Sequence, residues 1–257
     1  MTIPHTTVKG LPHLANLLGQ FPSFPARNTK EKDYSIPKIL HFLWIGSDIT
    51  EKYMGCVNSF SKMNSDYKVM LWSDRDIPPT RLESDNIERI NIEQLSLPLL
   101  PMMPKMAARV DYIRYVAVHT FGGIYADIDN IPLKPFDLHL RSAFLSYGET
   151  NIQNCFFGLP HKSTFLEYFL ETISYFVHMN ASERATIDPI DEQFHGKFTG
   201  GCLMGACLWL SQDEGIRCIH EQFTGQAPPW RPVSRSAYCR HMYDWNWKHP
   251  SDPKGID

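Results

Sequence analysis

Asp127 and Asp129, two carboxylates one residue apart in the stretch GIYADIDNIP, are the side chains of this chain best suited to chemistry. GIYADID is short and rich in Ile and Tyr, which predicts a strand running out into a loop. In extended chain, alternate side chains share a face roughly 7 Å apart, so both acids can serve one site. A hard cation such as Mg²⁺ or Mn²⁺ takes oxygen ligands, commonly one or two protein carboxylates, with phosphate oxygens and water in its other positions. The pair therefore suits a cation that holds a diphosphate. Tyr125 alternates with Asp127, so its hydroxyl is placed to bond a phosphate or ribose, although burial as a core aromatic explains it equally. Asp next to Asn130 and Pro132 is also ordinary turn chemistry, which gives the dipeptide a structural reading as well.

The element before the acids must position them. Met106, Val110, Ile113 and Ala117 recur at steps of four, three and four, which predicts the apolar face of a buried helix. Asp111 and Arg114 stand one turn apart beside that face. They read either as a surface ion pair contributing about 0.2–0.5 kcal/mol, or as a carboxylate for sugar hydroxyls and a donor fork for a sugar or phosphate oxygen. Gly122-Gly123 allows the helix to end in a left-handed cap and turn directly into the strand.

With these residues in view a family resemblance becomes specific. ARVDYIRYVAVHTFGGIYADIDNIPL resembles the signature of the Asp-x-Asp sugar-binding glycosyltransferases, a group that includes fungal Golgi mannosyltransferases and bacterial capsule enzymes, and is similar to the catalytic domain of the large clostridial glucosylating toxins. Ala107, Asp111, Arg114, Gly122, Gly123, Tyr125, Asp127 and Asp129 carry the match. IPKILHFLWIG (36–46) and NSDYKVMLWSD (64–74) resemble the first two strands of these enzymes, in the same order. The resemblance implies an α/β fold of the GT-A (Rossmann-like) type, a single nucleotide-sugar-binding domain with a mainly parallel central sheet. It also implies a retaining glycosyltransferase that uses Mn²⁺ or Mg²⁺ and a UDP- or GDP-sugar in carbohydrate biosynthesis. Asp111, Arg114, Asp127 and Asp129 are the implied catalytic residues, with Asp129 the direct metal ligand and Asp127 reaching the ribose or, through water, the metal. Trp44 is implied to stack on the base, as a Trp at its position does in the toxins, and Asn154 falls near where relatives place a sugar-contacting Asn. Relatives close a C-terminal loop carrying His and Trp over the diphosphate. In CRHMYDWNWKHP this points to His241 as third metal ligand and to Trp245 as a donor contact.

Strand and helix alternate along the rest of the chain: strands over 36–44, 68–72, 87–92, 143–147 and 155–159, helices over 50–63 and 163–178, the latter capped by Ser163. Such alternation predicts a parallel sheet wound on both faces, with the ligand outside the carboxyl ends of its strands. Residues 1–35, punctuated by Pro4, Pro12, Pro22 and Pro25, read as a lead segment with one short helix over 11–18, and residues 36–257 as the catalytic domain. FTGGCLMGACLWL (198–210) reads as a helix whose glycines either face an anion or pack closely.

With 257 residues, 43% of them hydrophobic, the chain can bury a sizeable core as one domain. A net charge of −3 argues against nucleic acid as a partner. No apolar run approaches the roughly 20 residues that cross a bilayer, and the first residues lack the basic head and apolar middle of a signal peptide. The expectation is a cytoplasmic protein, with peripheral membrane contact and secretion as an effector left open. The six cysteines show no Cys-x-x-Cys pair and read as reduced core residues. The acceptor is a glycan, a small molecule or a protein, the last if the chain acts as a toxin-like effector. Two other classes compete: a non-catalytic sugar-nucleotide-binding protein, and a haloacid-dehalogenase-type phosphatase, whose motif YADIDNI also resembles. That phosphatase needs a hydrophobic strand before the motif, usually near the start of the chain, with a later Lys and an acidic pair, whereas here Gly122-Gly123 stands only a few residues upstream and no convincing acidic pair follows.

Overall fold

A computed structural model of the chain describes residues 29–103, 105–136, 140–148, 152–180, 182, 199–211, 213–225 and 233–242. The strands are β1 (Ile39–Trp44), β2 (Lys68–Ser73), β3 (Ile87–Asn91), β4 (Gly123–Ala126), β5 (Asn130–Pro132), β6 (Phe144–Tyr147), β7 (Ile152–Leu159), β8 (Arg217–His220) and β9 (Cys239–His241). The principal helices are α1 (Glu51–Met63), α2 (Met106–Phe121), α3 (Thr164–His178) and α4 (Gly201–Ser211). Seven strands form one sheet in the order β3-β2-β1-β4-β7-β6-β8, and β5 pairs with β9 in a separate ribbon.

The sheet is mostly parallel, as the alternation of strand and helix predicts. β2, β1 and β4 lie side by side in one direction, and β7 alone runs against its neighbours β4 and β6. That reversal decides where the site is built. Because β7 is antiparallel to β4, its first residues lie beside the carboxyl end of β4, and the pairing Ala126↔Phe156 sets Asp127 opposite Cys155.

Period-two alternation sorts the strand residues onto two faces. Leu40, Phe42, Val69, Leu71, Ile124 and Phe156 pack with Tyr53, Met54, Val57 and Phe60 of α1. Leu43, Met70, Trp72, Tyr125 and Phe157 pack instead with α2, α3 and α4. Helix α2 departs from the expected single apolar face: residues 111–118 are buried all round, whereas Met106 is 39% exposed and Val110 only half-buried. The apolar period was real for Ile113 and Ala117. The first turn, however, lies at the rim of a cavity, so Met106 has no layer to pack against.

The turn from α2 into β4 is made by Gly122 (φ +67°) and Gly123 (φ +109°). A Cβ on Gly123 would stand 2.5 Å from the Ile39 carbonyl oxygen, so this close approach of β4 to β1 requires glycine. Gly201, at the start of α4, is equally tight against the Ile152 carbonyl, which favours close packing over anion binding for that small-residue run. Ser163 caps α3, its Oγ accepting from the Leu166 amide, as its sequence position predicts. The same hydroxyl donates to Glu31, and Tyr34 donates to Asp213, so residues 29–36 are bonded to the domain. The short helix expected over 11–18 lies outside the described residues. No disulfide joins any of the six cysteines, and five of them are buried. Among the described residues no helix is long and apolar enough to cross a membrane.

Candidate active site

The chain leaves β4 at Ala126 and turns at once. The Asn130 amide donates to the Asp127 carbonyl at 3.1 Å, and the Asn130 side chain donates to the same oxygen at 2.8 Å. Asp127 and Asp129 therefore flank a tight turn rather than alternating along extended chain. The shared face that alternation would have supplied comes from elsewhere. β5 pairs with β9 in the register Asn130↔His241, and the Met242 amide donates to the Asp129 carbonyl at 2.9 Å. This sets His241 Nε2 3.3 Å from Asp129 Oδ1 and 3.7 Å from Asp127 Oδ2. Two carboxylates and an imidazole thus converge from positions 112 to 114 residues apart in the chain.

Arg114 fixes the other side of Asp127. Its Nη1 lies 3.1 Å from Asp127 Oδ1 and donates to the Asn154 carbonyl at 2.9 Å, while Nη2 is 3.4 Å from Asp111 Oδ1. The guanidinium also sits over the Tyr125 ring, 4.7 Å from its centroid. Burial opposes its charge, but Asp127, Tyr125 and Asp111 hold it protonated well above the ordinary range. Burial likewise works against ionised Asp127, yet Arg114, His241 and the Tyr125 hydroxyl, which donates at 2.8 Å, together bring its pKa below the usual carboxylate value. Asp127 Oδ1 is thus occupied by Arg114 and Tyr125, and Oδ2 is the oxygen turned toward His241.

Asp111 is only 2% exposed. Its Oδ1 accepts from the Asn154 amide at 2.8 Å and its Oδ2 from Thr199 at 3.1 Å. The second Asn154 amide hydrogen goes to Tyr115 at 2.7 Å, which leaves the side-chain oxygen Oδ1, distinct from the backbone carbonyl that Arg114 holds, as the group Asn154 can offer a ligand. Tyr115 in turn donates to the Thr199 carbonyl at 2.9 Å. A buried carboxylate so engaged braces the cavity wall.

These groups open onto one cavity of about 340 Å³, lined by Trp44, Met106, Asp111, Arg114, Tyr125, Asp127, Asp129, Asn154, Cys155 and His241 among others. Its place at the carboxyl ends of β1 and β4 is where parallel sheets bind ligands. Residues 50–153 match the family described as glycosyltransferase sugar-binding region containing DXD motif. That segment is similar to the DXD glycosyltransferases.

The similarities beyond it agree. Inositol phosphoceramide mannosyltransferase 1 of Schizosaccharomyces pombe is 26% identical over 158 residues, covering 59% of this chain and 47% of that protein. Subversion of eukaryotic traffic protein A of Legionella pneumophila is 23% identical over 128 residues, 44% of this chain and 20% of that protein. The chain thus spans less than half the length of these curated relatives. Among solved structures, PaToxG Glycosyltransferase superposes with a TM-score of 0.51 at 18% identity over 78% of each chain, which shows a shared GT-A fold.

Within the matched segment and its surroundings, Trp44, Asp111, Arg114, Tyr125, Asp127, Asp129, Asn154 and His241 all reach the same cavity. Trp245 lies outside the described residues. Trp44 belongs to the α1 face of the sheet, its ring 4.9 Å from that of Tyr53 and its Nε1 donating to the Ser47 carbonyl; it enters the cavity because it ends its strand. Sequence reasoning missed Tyr115, Thr199 and Cys155. Tyr115 gave no local signal, since its helix is buried all round. Cys155 becomes conspicuous only once β7 is known to run antiparallel to β4.

Proposed function

We propose that the chain transfers a sugar from a nucleoside-diphosphate donor to a hydroxyl acceptor with retention of configuration, using a divalent cation held at Asp127, Asp129 and His241. The observation that carries this reading is the convergence of those three side chains at the mouth of a cavity whose other wall is the buried Arg114. Carboxylate oxygens and one imidazole nitrogen form a donor set that fits Mn²⁺ or Mg²⁺. When bound, such an ion neutralises the charge that develops on the departing diphosphate.

The protein's own groups do the rest of the work. Arg114 keeps Asp127 ionised and turned with Oδ2 outward. Asp111 holds Asn154 and Thr199, so the sugar pocket is rigid before a donor arrives. Trp44 offers its ring to the base from the strand end, and Asn154 offers its side-chain Oδ1 to a sugar hydroxyl. The names of the fungal relatives make GDP-mannose, and an acceptor bearing an inositol phosphate, one arm of the substrate search.

A panel of UDP-glucose, UDP-galactose, UDP-N-acetylglucosamine and GDP-mannose, each with Mn²⁺, Mg²⁺ or EDTA, tests the reading. One donor is expected to be hydrolysed slowly without acceptor, only with metal, and to raise the melting temperature when bound. Asp127→Asn and Asp129→Asn are each expected to abolish turnover with the fold intact. Wild-type turnover in either variant at saturating donor would show that the acids do not hold the ion.

A further inference from the structure

One side chain at the metal position has a chemistry that neither the motif nor the proposed function uses. Cys155 stands opposite Asp127 across the β4–β7 pair, its carbonyl accepting the Asp127 amide at 2.8 Å. Residues directly opposite in an antiparallel pair project to the same side, and Cys155 lines the cavity. Its Sγ, a carboxylate oxygen of Asp127 and a ring nitrogen of His241 all lie within 4.8 Å of one another. Three donors around one ion at about 2.0–2.3 Å stand roughly 3–4 Å from one another. The cluster therefore needs to close by no more than about an ångström to share a cation.

We propose that Cys155 is a ligand at the same cation site, which makes the site favour borderline ions such as Co²⁺ or Zn²⁺ over the hard ion Mg²⁺. Three observations support it. The thiol stands on β7, where the Asp127 amide holds the Cys155 backbone carbonyl. It faces two of the three ligand side chains already assigned, Asp127 and His241. A thiol also suits borderline and soft ions, whereas Mg²⁺ prefers hard oxygen donors. On coordination the thiol gives up its proton to solvent and the sulfur lone pair forms the metal bond, with no change in oxidation state. The proposal rests on the cation site put forward above, and the experiment separates the two.

Co²⁺ is titrated into the full chain, alone and with UDP or GDP, and followed both by equilibrium dialysis and by absorption. The expected result is stoichiometric binding accompanied by an intense near-ultraviolet sulfur-to-cobalt charge-transfer band. Cys155→Ser should keep the weaker visible bands of bound Co²⁺ but lose the ultraviolet band, with its preference shifted toward Mg²⁺. Bound Co²⁺ without that band in the unaltered protein would overturn the thiol ligand and leave the carboxylate–imidazole site standing. No Co²⁺ binding under either condition would overturn both. Because the wild-type spectrum alone decides the matter, the test does not depend on the variant folding.

Discussion

Arg114 is where the loss of one side chain is felt at two others. Its guanidinium is buried between Asp111 and Asp127, and removing one partner from such a set leaves the remaining charges without compensation in a poorly solvated place. That change typically costs about 3–5 kcal/mol. Arg114→Gln is therefore expected to lower unfolding free energy by about that amount in a urea titration, and to let the Asp127 pKa rise. Arg114→Lys keeps the charge but not the planar fork, so it is expected to lose about 1–3 kcal/mol while activity falls much further. Asp127→Asn is different in kind. Asp127 is 27% exposed, Arg114 keeps Asp111 as its partner, and an amide can still accept from Tyr125. Its melting temperature should stay near wild type, which is what makes it a clean probe of chemistry. A large unfolding shift in Asp127→Asn would mean that this carboxylate is structural.

At the scale of elements, the junction between α2 and β4 aims the acids. Gly123 combines a φ of +109° with an Ile39 carbonyl oxygen 2.5 Å from where its Cβ would be, and a backbone neighbour cannot swing aside. Gly123→Ala is expected to cost at least about 1–3 kcal/mol and to displace β4 against β1, reducing donor affinity as well as stability. Gly55, in the middle of α1, has nothing within 4 Å of its Cβ position, so Gly55→Ala should instead stabilise by about 0.5–1 kcal/mol. Opposite signs for the two alanines in guanidinium titrations are the check. The same junction shows what the sequence could reveal. Strands β1, β2 and β7 and helices α1 and α3 were legible because period-two and 3.6-residue patterns are local. The arrangement of the acids was not: alternation suggested extended chain, but Asn130 closes a turn on the Asp127 carbonyl. His241 meets the aspartates through β5–β9, a pairing of three residues with three that carries too short a pattern to detect. Asn154 and Cys155 arrive by strand reversal, which leaves no mark on the composition of β7.

At the scale of the whole molecule, the site has no independent existence, because Asp111, Asp127, Cys155 and His241 meet only when the sheet and its ribbon are complete. Anything that unfolds the sheet should thus abolish metal and donor binding together. The sheet has an acid-sensitive point in His41, on β1. Trp72 Nε1 donates to His41 Nδ1 at 3.0 Å, and an indole nitrogen can only donate. The proton of the neutral ring is therefore on Nε2, facing the Gly122 carbonyl at 2.8 Å, so β1, β2 and the end of α2 are tied through one uncharged imidazole. A second proton would set two donors against each other in a fully buried place. Burial, opposed by the Gly122 carbonyl and aided by Lys68, brings the His41 pKa from 6.5 down to about 4. In that interval the unfolded chain binds the proton and the folded one does not, so stability is complete above about pH 6.5 and is lost as pH falls toward 4. At about 1.4 kcal/mol per pH unit the full loss is about 3 kcal/mol, a large share of the 5–15 kcal/mol typical of a domain. His119, whose pKa burial also lowers, adds to the same slope. Urea midpoints measured from pH 7.5 to 5 should fall steadily for the wild-type chain. His41→Gln, whose amide can accept from Trp72 and donate to Gly122 but cannot titrate, should start lower and fall less steeply. A wild-type midpoint unchanged between pH 7 and 5 would show that His41 is not held neutral, and that acid reaches the active site by another route.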